Sequence, residues 1–306
     1  MGRFWSLMFL LVPILGTWII VAAATDTWPF TAPPEGGWFQ FPRAHWFPEN
    51  VNPHGEIIDI LFIRIFYLTG AIFIGTGIAL FWFLWKYDAE KSSEAVKFSH
   101  GNHTLEVVWS IIPALTLLFI AFVQLNAWAD HKMRRPLDPG PDGELGTADD
   151  PMLPGPDEKL GTDDDQPAPK PPLALVTGRQ FQWDVRYAGK DGELFTPDDL
   201  VTNTDLHVPV NEEIVLQIES RDVLHSVFLP NFRVKQDVVP GMTQHIWFLG
   251  TREGVFDIVC AELCGWGHYK MKGRLTVQSR QDFEAWLDDM QVAQQQDTNQ
   301  PPQDDE

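Results

Sequence analysis

The sequence predicts an N-terminal transmembrane α-helical hairpin followed by an all-β sandwich or barrel. Three observations carry that prediction. Two apolar runs, Ile57 to Trp85 and Leu105 to Ala129, lie close together in the first half of the chain. As helices they would span about 43 and 37 Å, ample for a hydrocarbon core of about 30 Å. From Leu173 the pattern changes to short runs rich in Val, Ile, Phe and Trp, separated by Gly- and Pro-containing turns, which is the signature of many short strands. Between these halves lies a stretch poor in apolar residues, which reads as a linker.

Taken in order, Phe4 to Ala24 is a third apolar segment, preceded by Arg3 and ending in three alanines. It reads as a signal peptide or as an extra transmembrane helix, and residues 1–24 are left open between the two. Residues 25–56 form an extracytoplasmic segment under either reading, and residues 57–129 form the hairpin. Its first run is interrupted only by Asp59 and Arg64; its second contains Pro113, a kink that membrane helices tolerate. Lysines 86, 91 and 97 inside are matched by Lys132, Arg134 and Arg135 outside, so loop charge does not orient the hairpin.

Residues 130–172 are an acidic Pro/Gly-rich linker containing a repeat. Gly140–Asp150 reads GPDGELGTADD, Gly155–Asp165 reads GPDEKLGTDDD, and a third copy, Gly189–Asp199, reads GKDGELFTPDD inside the β region. The carboxylates invite a calcium reading, but their spacing departs from an EF-hand loop with its terminal bidentate Glu. Solvated acidic turns are the favoured reading, with the third copy a hairpin excursion between strands. Within residues 173–290 the predicted strands are Leu173–Tyr187, Glu213–Glu219, Gln244–Leu249, Gly254–Val259 and Gly273–Gln278. A short helix over Asp282–Met290 closes the domain, and residues 291–306 are a polar tail.

The 306 residues carry a formal net charge of −20. Such a balance sets nucleic acid aside and favours a basic protein partner. No Cys-x-x-Cys-His occurs, so the chain carries no covalent haem of its own.

The two cysteines of the chain fall in one stretch, Cys260-Ala-Glu262-Leu-Cys264-Gly-Trp-Gly-His268-Tyr-Lys-Met271, and a second imidazole is available at His225. Thiolate and imidazole together select copper or zinc over hard cations, and a thioether favours copper. A disulfide would leave His268 and Met271 unexplained, and structural zinc has no use for Met271. One cysteine suffices for a mononuclear blue-copper site. Two on a tight loop can share their thiolates between two ions, which suggests a dinuclear copper centre.

The pattern from His225 through Cys260, Glu262, Cys264, His268 and Met271 resembles the copper A loop of cytochrome c oxidase subunit II. The resemblance runs from the membrane segments to about residue 290. It sharpens the β region to a cupredoxin-like Greek-key sandwich. It implies that Cys260 and Cys264 bridge two coppers, that His225 and His268 cap one each, and that Met271 and the Glu262 carbonyl complete the set. The Glu262 carboxylate would help hold a magnesium ion shared with subunit I. Glu106, at the cytoplasmic start of the second span, would mark the mouth of a proton channel, or else be an interfacial carboxylate favoured by the helix dipole.

Gly178-Arg-Gln-Phe181-Gln-Trp183 is similar to the aromatic stretch where the family accepts electrons, with Phe181 where Trp is usual. Asp222 and Asp237 match acidic positions for donor docking and hydrogen bonding. The implied partners are oxidase subunits I and III, membrane lipid, and a cytochrome c or haem-c-bearing subunit as donor. The implied location is a bacterial-type plasma membrane, multi-pass, with the copper domain extracytoplasmic. A membrane-anchored copper carrier is disfavoured by the number of ligands. Nitrous-oxide reductase is disfavoured by the hairpin.

Overall fold

The structure, a computed structural model, describes residues 2–24, 47–87, 98, 100–140, 142–189, 192 and 194–298. Most of the predicted extracytoplasmic segment (residues 25–46), most of the connection between the two spans, and the tail from residue 299 lie outside the described residues. The described residues fall into two units, one helical and one mainly β.

The helical unit contains α1 (Gly2–Ala24), α2 (Glu56–Lys86) and all but the last turn of α3 (His103–Lys132). At 31 and 30 residues, α2 and α3 are about 46 and 45 Å long, and both are apolar enough to cross a membrane. Large side chains such as Ile72, Phe83, Phe119 and Phe122 point outward, as a lipid environment requires. Helix α1 lies against α2: a Cβ on Gly77 would meet the Pro13 ring at 3.2 Å, and one on Gly16 would meet Phe73 at 3.0 Å. Asn102 caps α3 by accepting from the Leu105 amide at 3.2 Å, and Glu106 sits in the first turn.

The β unit comprises residues 49–56 and 128–306. A two-stranded ribbon, β1 (Met152–Leu153) with β2 (Gln166–Pro167), precedes the sandwich. The sandwich strands are β3 (Ala174–Arg179), β4 (Gln182–Tyr187), β5 (Leu200–Asn203), β6 (Asp205–Pro209) and β7 (Glu213–Ser220). They continue with β8 (His225–Leu229), β9 (Val234–Val238), β10 (Gln244–Leu249), β11 (Gly254–Cys260) and β12 (Lys272–Gln278). Two five-stranded sheets result, ordered β10-β7-β3-β4-β5 and β6-β12-β11-β8-β9. Neighbours are antiparallel except β3 with β7 and β6 with β12.

Alternation places the core. On β4, Trp183, Val185 and Tyr187 point inward while Gln182, Asp184 and Arg186 do not. They meet Leu206, Leu216, Ile218, Leu229, Phe232, Phe248, Ile258 and Leu275. Gly273 lets β12 approach closely, since a Cβ there would lie 2.9 Å from the Thr204 carbonyl.

Four features depart from the sequence expectation. The run Leu173–Tyr187 is a hairpin, β3 and β4, broken at Gln180–Phe181, because both of its halves have partners in the sheet. Strands β5, β6, β8 and β9 were not expected; they are short and interrupted by polar residues whose neighbours supply the pairing. The closing helix α4 (Arg280–Thr298) outruns Met290. It continues because Gln294 donates to Asp199 O at 2.7 Å and accepts from the Val201 amide at 3.1 Å, tying the expected tail to β5. Finally, residues 49–52 join the sandwich: Val51 and Asn52 are buried and bond to Asn231, Thr251 and Phe232 backbone.

Candidate metal centre

Strand pairing brings the first two candidate ligands together. Cys260 ends β11 and pairs with Val227, two residues into β8, which begins at His225. The chain then leaves the sheet, turns at Gly265 with φ 136°, forms a short 3₁₀ turn over His268–Lys270, and re-enters at β12. That excursion returns Cys264, His268 and Met271 to the end of β11. The Cys260 amide donates to the Met271 carbonyl at 3.2 Å and the Ala261 amide to Ser226 O at 3.0 Å, closing the loop on itself and on β8.

The donor atoms face one another. Sγ of Cys260 lies 3.9 Å from Sγ of Cys264, 4.0 Å from His225 Nδ1 and 3.2 Å from the Glu262 carbonyl oxygen. Cys264 Sγ lies 3.6 Å from His268 Nδ1 and 3.8 Å from Met271 Sδ. The two sulfurs are far beyond the 2.05 Å of a disulfide and both cysteines are free. Their 3.9 Å separation is shorter than two metal–sulfur bonds of about 2.3 Å laid end to end, so one ion can touch both. His225, Cys260, Cys264 and Met271 are buried, whereas His268 is half-buried.

A second layer fixes the imidazole. Asp222 Oδ1 lies 2.8 Å from His225 Nε2, which turns Nδ1 toward Cys260. Asp222 Oδ2 accepts from the Gln180 amide at 2.8 Å, and Gln180 Nε2 donates to the Cys264 carbonyl at 2.5 Å. Gly178 makes room for the ring, since a Cβ there would sit 3.0 Å from His225 Cδ2.

Electrostatics follow from these contacts. Burial opposes the charged form of Asp222, but donation from Gln180, His225 and Val223 outweighs it and holds the carboxyl below its usual range. Burial likewise opposes the Cys260 thiolate, yet His225 and the surrounding hydrogen bonds pull the thiol down to about 6. Burial and the adjacent Cys260 charge push Cys264 up to about 11. The pair thus accepts one negative charge readily and the second only beside a cation.

Other sequence candidates fall elsewhere. Phe181 is half-buried against the loop, and a Cβ on Gly267 would collide with its ring. Trp183 is 0% exposed, in the core beside His225 with ring centroids 6.0 Å apart. Asp222, expected at a docking surface, spends both carboxylate oxygens on His225, Gln180 and Val223. Asp237, matched to a hydrogen-bonding position, accepts from Lys235 Nζ at 2.7 Å. Glu106 lies in the helical unit, outside this group. Sequence reasoning missed Gln180, the link between Asp222 and Cys264; it lies between Gly178 and Trp183, where nothing in its residue type marks it beside the aromatics.

The family model for the transmembrane domain of cytochrome c oxidase subunit II matches residues 40–127, and the model for its periplasmic domain matches residues 176–278. The chain belongs to the cytochrome c oxidase subunit II family. Three relatives illustrate the relationship. The alternative cytochrome c oxidase subunit 2 of Bradyrhizobium diazoefficiens is 37% identical over 135 residues, covering 37% of this chain and 49% of the relative. The cytochrome c oxidase subunit 2 of Alkalihalophilus pseudofirmus is 30% identical over 81% of this chain and 60% of its own length. That of Cereibacter sphaeroides is 28% identical over 79% of this chain and 78% of its own length. The chain therefore spans 49% and 60% of the first two relatives.

Membership fixes the architecture as a membrane hairpin with a cupredoxin-like sandwich on the periplasmic side of a bacterial plasma membrane. The family carries a copper A site, and His225, Cys260 and Cys264 form a buried group of suitable ligands here.

Proposed function

We propose that this chain is the electron-accepting subunit of a proton-pumping cytochrome c oxidase. It takes electrons from a cytochrome c, free or held on a haem-c-bearing subunit, and passes them to subunit I, with subunit III in the same complex. The observation that carries this reading is the mutual contact of six donor groups in one braced pocket.

Cys260, Cys264, His225, His268, Met271 and the Glu262 carbonyl would hold the two coppers of a copper A centre. Such a centre supplies one-electron transfer with little reorganisation. The chain's own residues provide the rigidity: adjacent strands fix His225 and Cys260, Asp222 sets the imidazole tautomer, and Gln180 pins the Cys264 carbonyl. Burial keeps water from the three sulfur ligands and from His225. The Glu262 carboxylate, left over when its carbonyl faces the sulfurs, would be available as a hard oxygen ligand for a magnesium ion shared with subunit I.

Glu106 serves the proton side. It lies in the first turn of α3, at the cytoplasmic edge of the second span, where an acidic residue complements the helix dipole. Glu106→Ala is expected to slow oxygen consumption by the assembled complex while leaving the copper absorbance intact. Normal turnover in that variant would reduce Glu106 to a helix-stabilising carboxylate. The reading as a whole is tested by metal analysis of the purified complex: one zinc and no copper per chain would end it.

A further inference from the structure

We propose that Trp266 is the surface residue that the electron donor touches and through which its electron reaches the metal loop. This inference rests on the proposed function and adds a residue that the aromatic stretch around Phe181 does not contain. The candidate ligands His225, Cys260, Cys264 and Met271 are buried and His268 is half-buried, so most of the ligand set is closed to a partner protein. Their loop nonetheless exposes three large side chains: Leu263 is 77% exposed, Trp266 80% and Tyr269 68%. On a rigid loop clamped by backbone hydrogen bonds at Cys260, Ala261, His268, Lys270 and Met271, so much apolar surface marks an interaction site.

Trp266 stands apart within that trio. It lies two residues from Cys264, and its ring packs edge-to-face on Phe181 with centroids 5.2 Å apart and planes at 66°. Phe181 in turn covers Gly265 and Gly267 on either side of Trp266; a Cβ on Gly265 would lie 3.1 Å from its ring. The buried Trp183 is cut off behind His225. Trp266 is thus the outermost ring of an aromatic pair seated on the ligand loop, with the shorter covalent path to a sulfur. The partner it fits is a haem protein whose flat, apolar haem edge reaches the surface, because a large exposed indole ringed by Leu and Tyr offers matching area. In the transfer the haem iron passes from ferrous to ferric and the oxidised copper centre gains that one electron. No bond is made or broken, no proton moves, and Trp266 itself is not oxidised.

The test uses the intact oxidase complex with a soluble basic c-type cytochrome. Hydroxyl-radical footprinting of the wild type should label Trp266 strongly alone and weakly with the ferric cytochrome bound. Trp266→Ala should weaken cytochrome binding about thirtyfold, the loss typical of an aromatic anchor. It should also slow reduction of the copper centre by about tenfold or more at saturating cytochrome. Trp266→Phe should recover part of both, and both variants should keep the wild-type copper spectrum. Unchanged labelling of Trp266 on cytochrome binding, or wild-type binding and reduction in Trp266→Ala, would overturn the inference while leaving the functional reading standing. A wild-type complex that holds no copper would overturn both, and the copper spectrum tells the two failures apart.

Discussion

Among the described residues, two regions of the periplasmic half gather ligand-type side chains within 4.8 Å of one another, and they do it in opposite ways. In the metal loop, His225, Cys260 and Cys264 are buried and point their donor atoms at each other. In the first acidic repeat, Asp142, Asp149 and Asp150 are at the surface and point theirs at their own backbone. Asp149 Oδ2 accepts from the Asp142 amide at 3.1 Å, Asp150 Oδ2 from the Gly146 amide at 2.6 Å, and Thr147 donates to both carboxylates. The second copy repeats this pattern with Asp157, Gly161, Thr162, Asp164 and Asp165. Proximity of donors therefore does not make a site. What separates the two is whether the donors remain uncommitted and whether a second layer aims them.

The comparison is broken most severely at the sulfurs. Cys260→Ser or Cys264→Ser is expected to abolish the dinuclear copper signal of the complex, because a hydroxyl is a poor substitute for a bridging thiolate. Metal content and optical absorbance of the purified variants check this. Removing the aiming layer should cost less. Asp222→Asn leaves all six donors in place but loosens His225, and copper affinity should fall about 10- to 100-fold, as read by competition with a chelator.

The third repeat sharpens the contrast, because the last carboxylate of the motif is buried there. It connects the antiparallel strands β4 and β5, and its Asp199 is 3% exposed. Asp199 accepts from Arg186 at 2.9 Å, the Phe195 amide at 2.7 Å and Thr196 at 3.1 Å. Burial opposes its charge, but those donors outweigh it and the carboxyl is held below the usual range. Asp199→Asn should therefore destabilise the protein by about 1–3 kcal/mol at neutral pH. A group whose folded value is depressed stabilises above its unfolded value of about 3.9 and loses that contribution as pH falls through the folded one. Wild type and variant should accordingly converge in acid. The smallest effect belongs to the exposed copies: Asp149→Ala and Asp164→Ala should leave both the melting temperature and the copper spectrum unchanged.

How much of this was legible in the sequence follows the same line. The ligands were readable because they are rare residue types in one short stretch, and the hairpin because apolar runs of that length have few other uses. The second layer was not. Asp222 and Gln180 are common surface residues, and only the pairing of β3 with β4 and the position of β8 bring them to the loop. Strands β5, β6, β8 and β9 were hidden for a related reason: each is short, and its pairing partners decide its conformation. Trp183 and Trp266 could not be told apart by type. Alternation along β4 buries the first, and the glycines at 265 and 267 turn the second outward.

The central claim is that the donors of the metal loop hold two coppers as one electronic unit. Electron paramagnetic resonance of the purified complex, with near-infrared absorbance and copper quantified per chain, tests it most directly. The account predicts two coppers per loop and a mixed-valence signal with the unpaired electron shared over both. A single-copper signal at one copper per loop, or zinc with no signal at all, would contradict it.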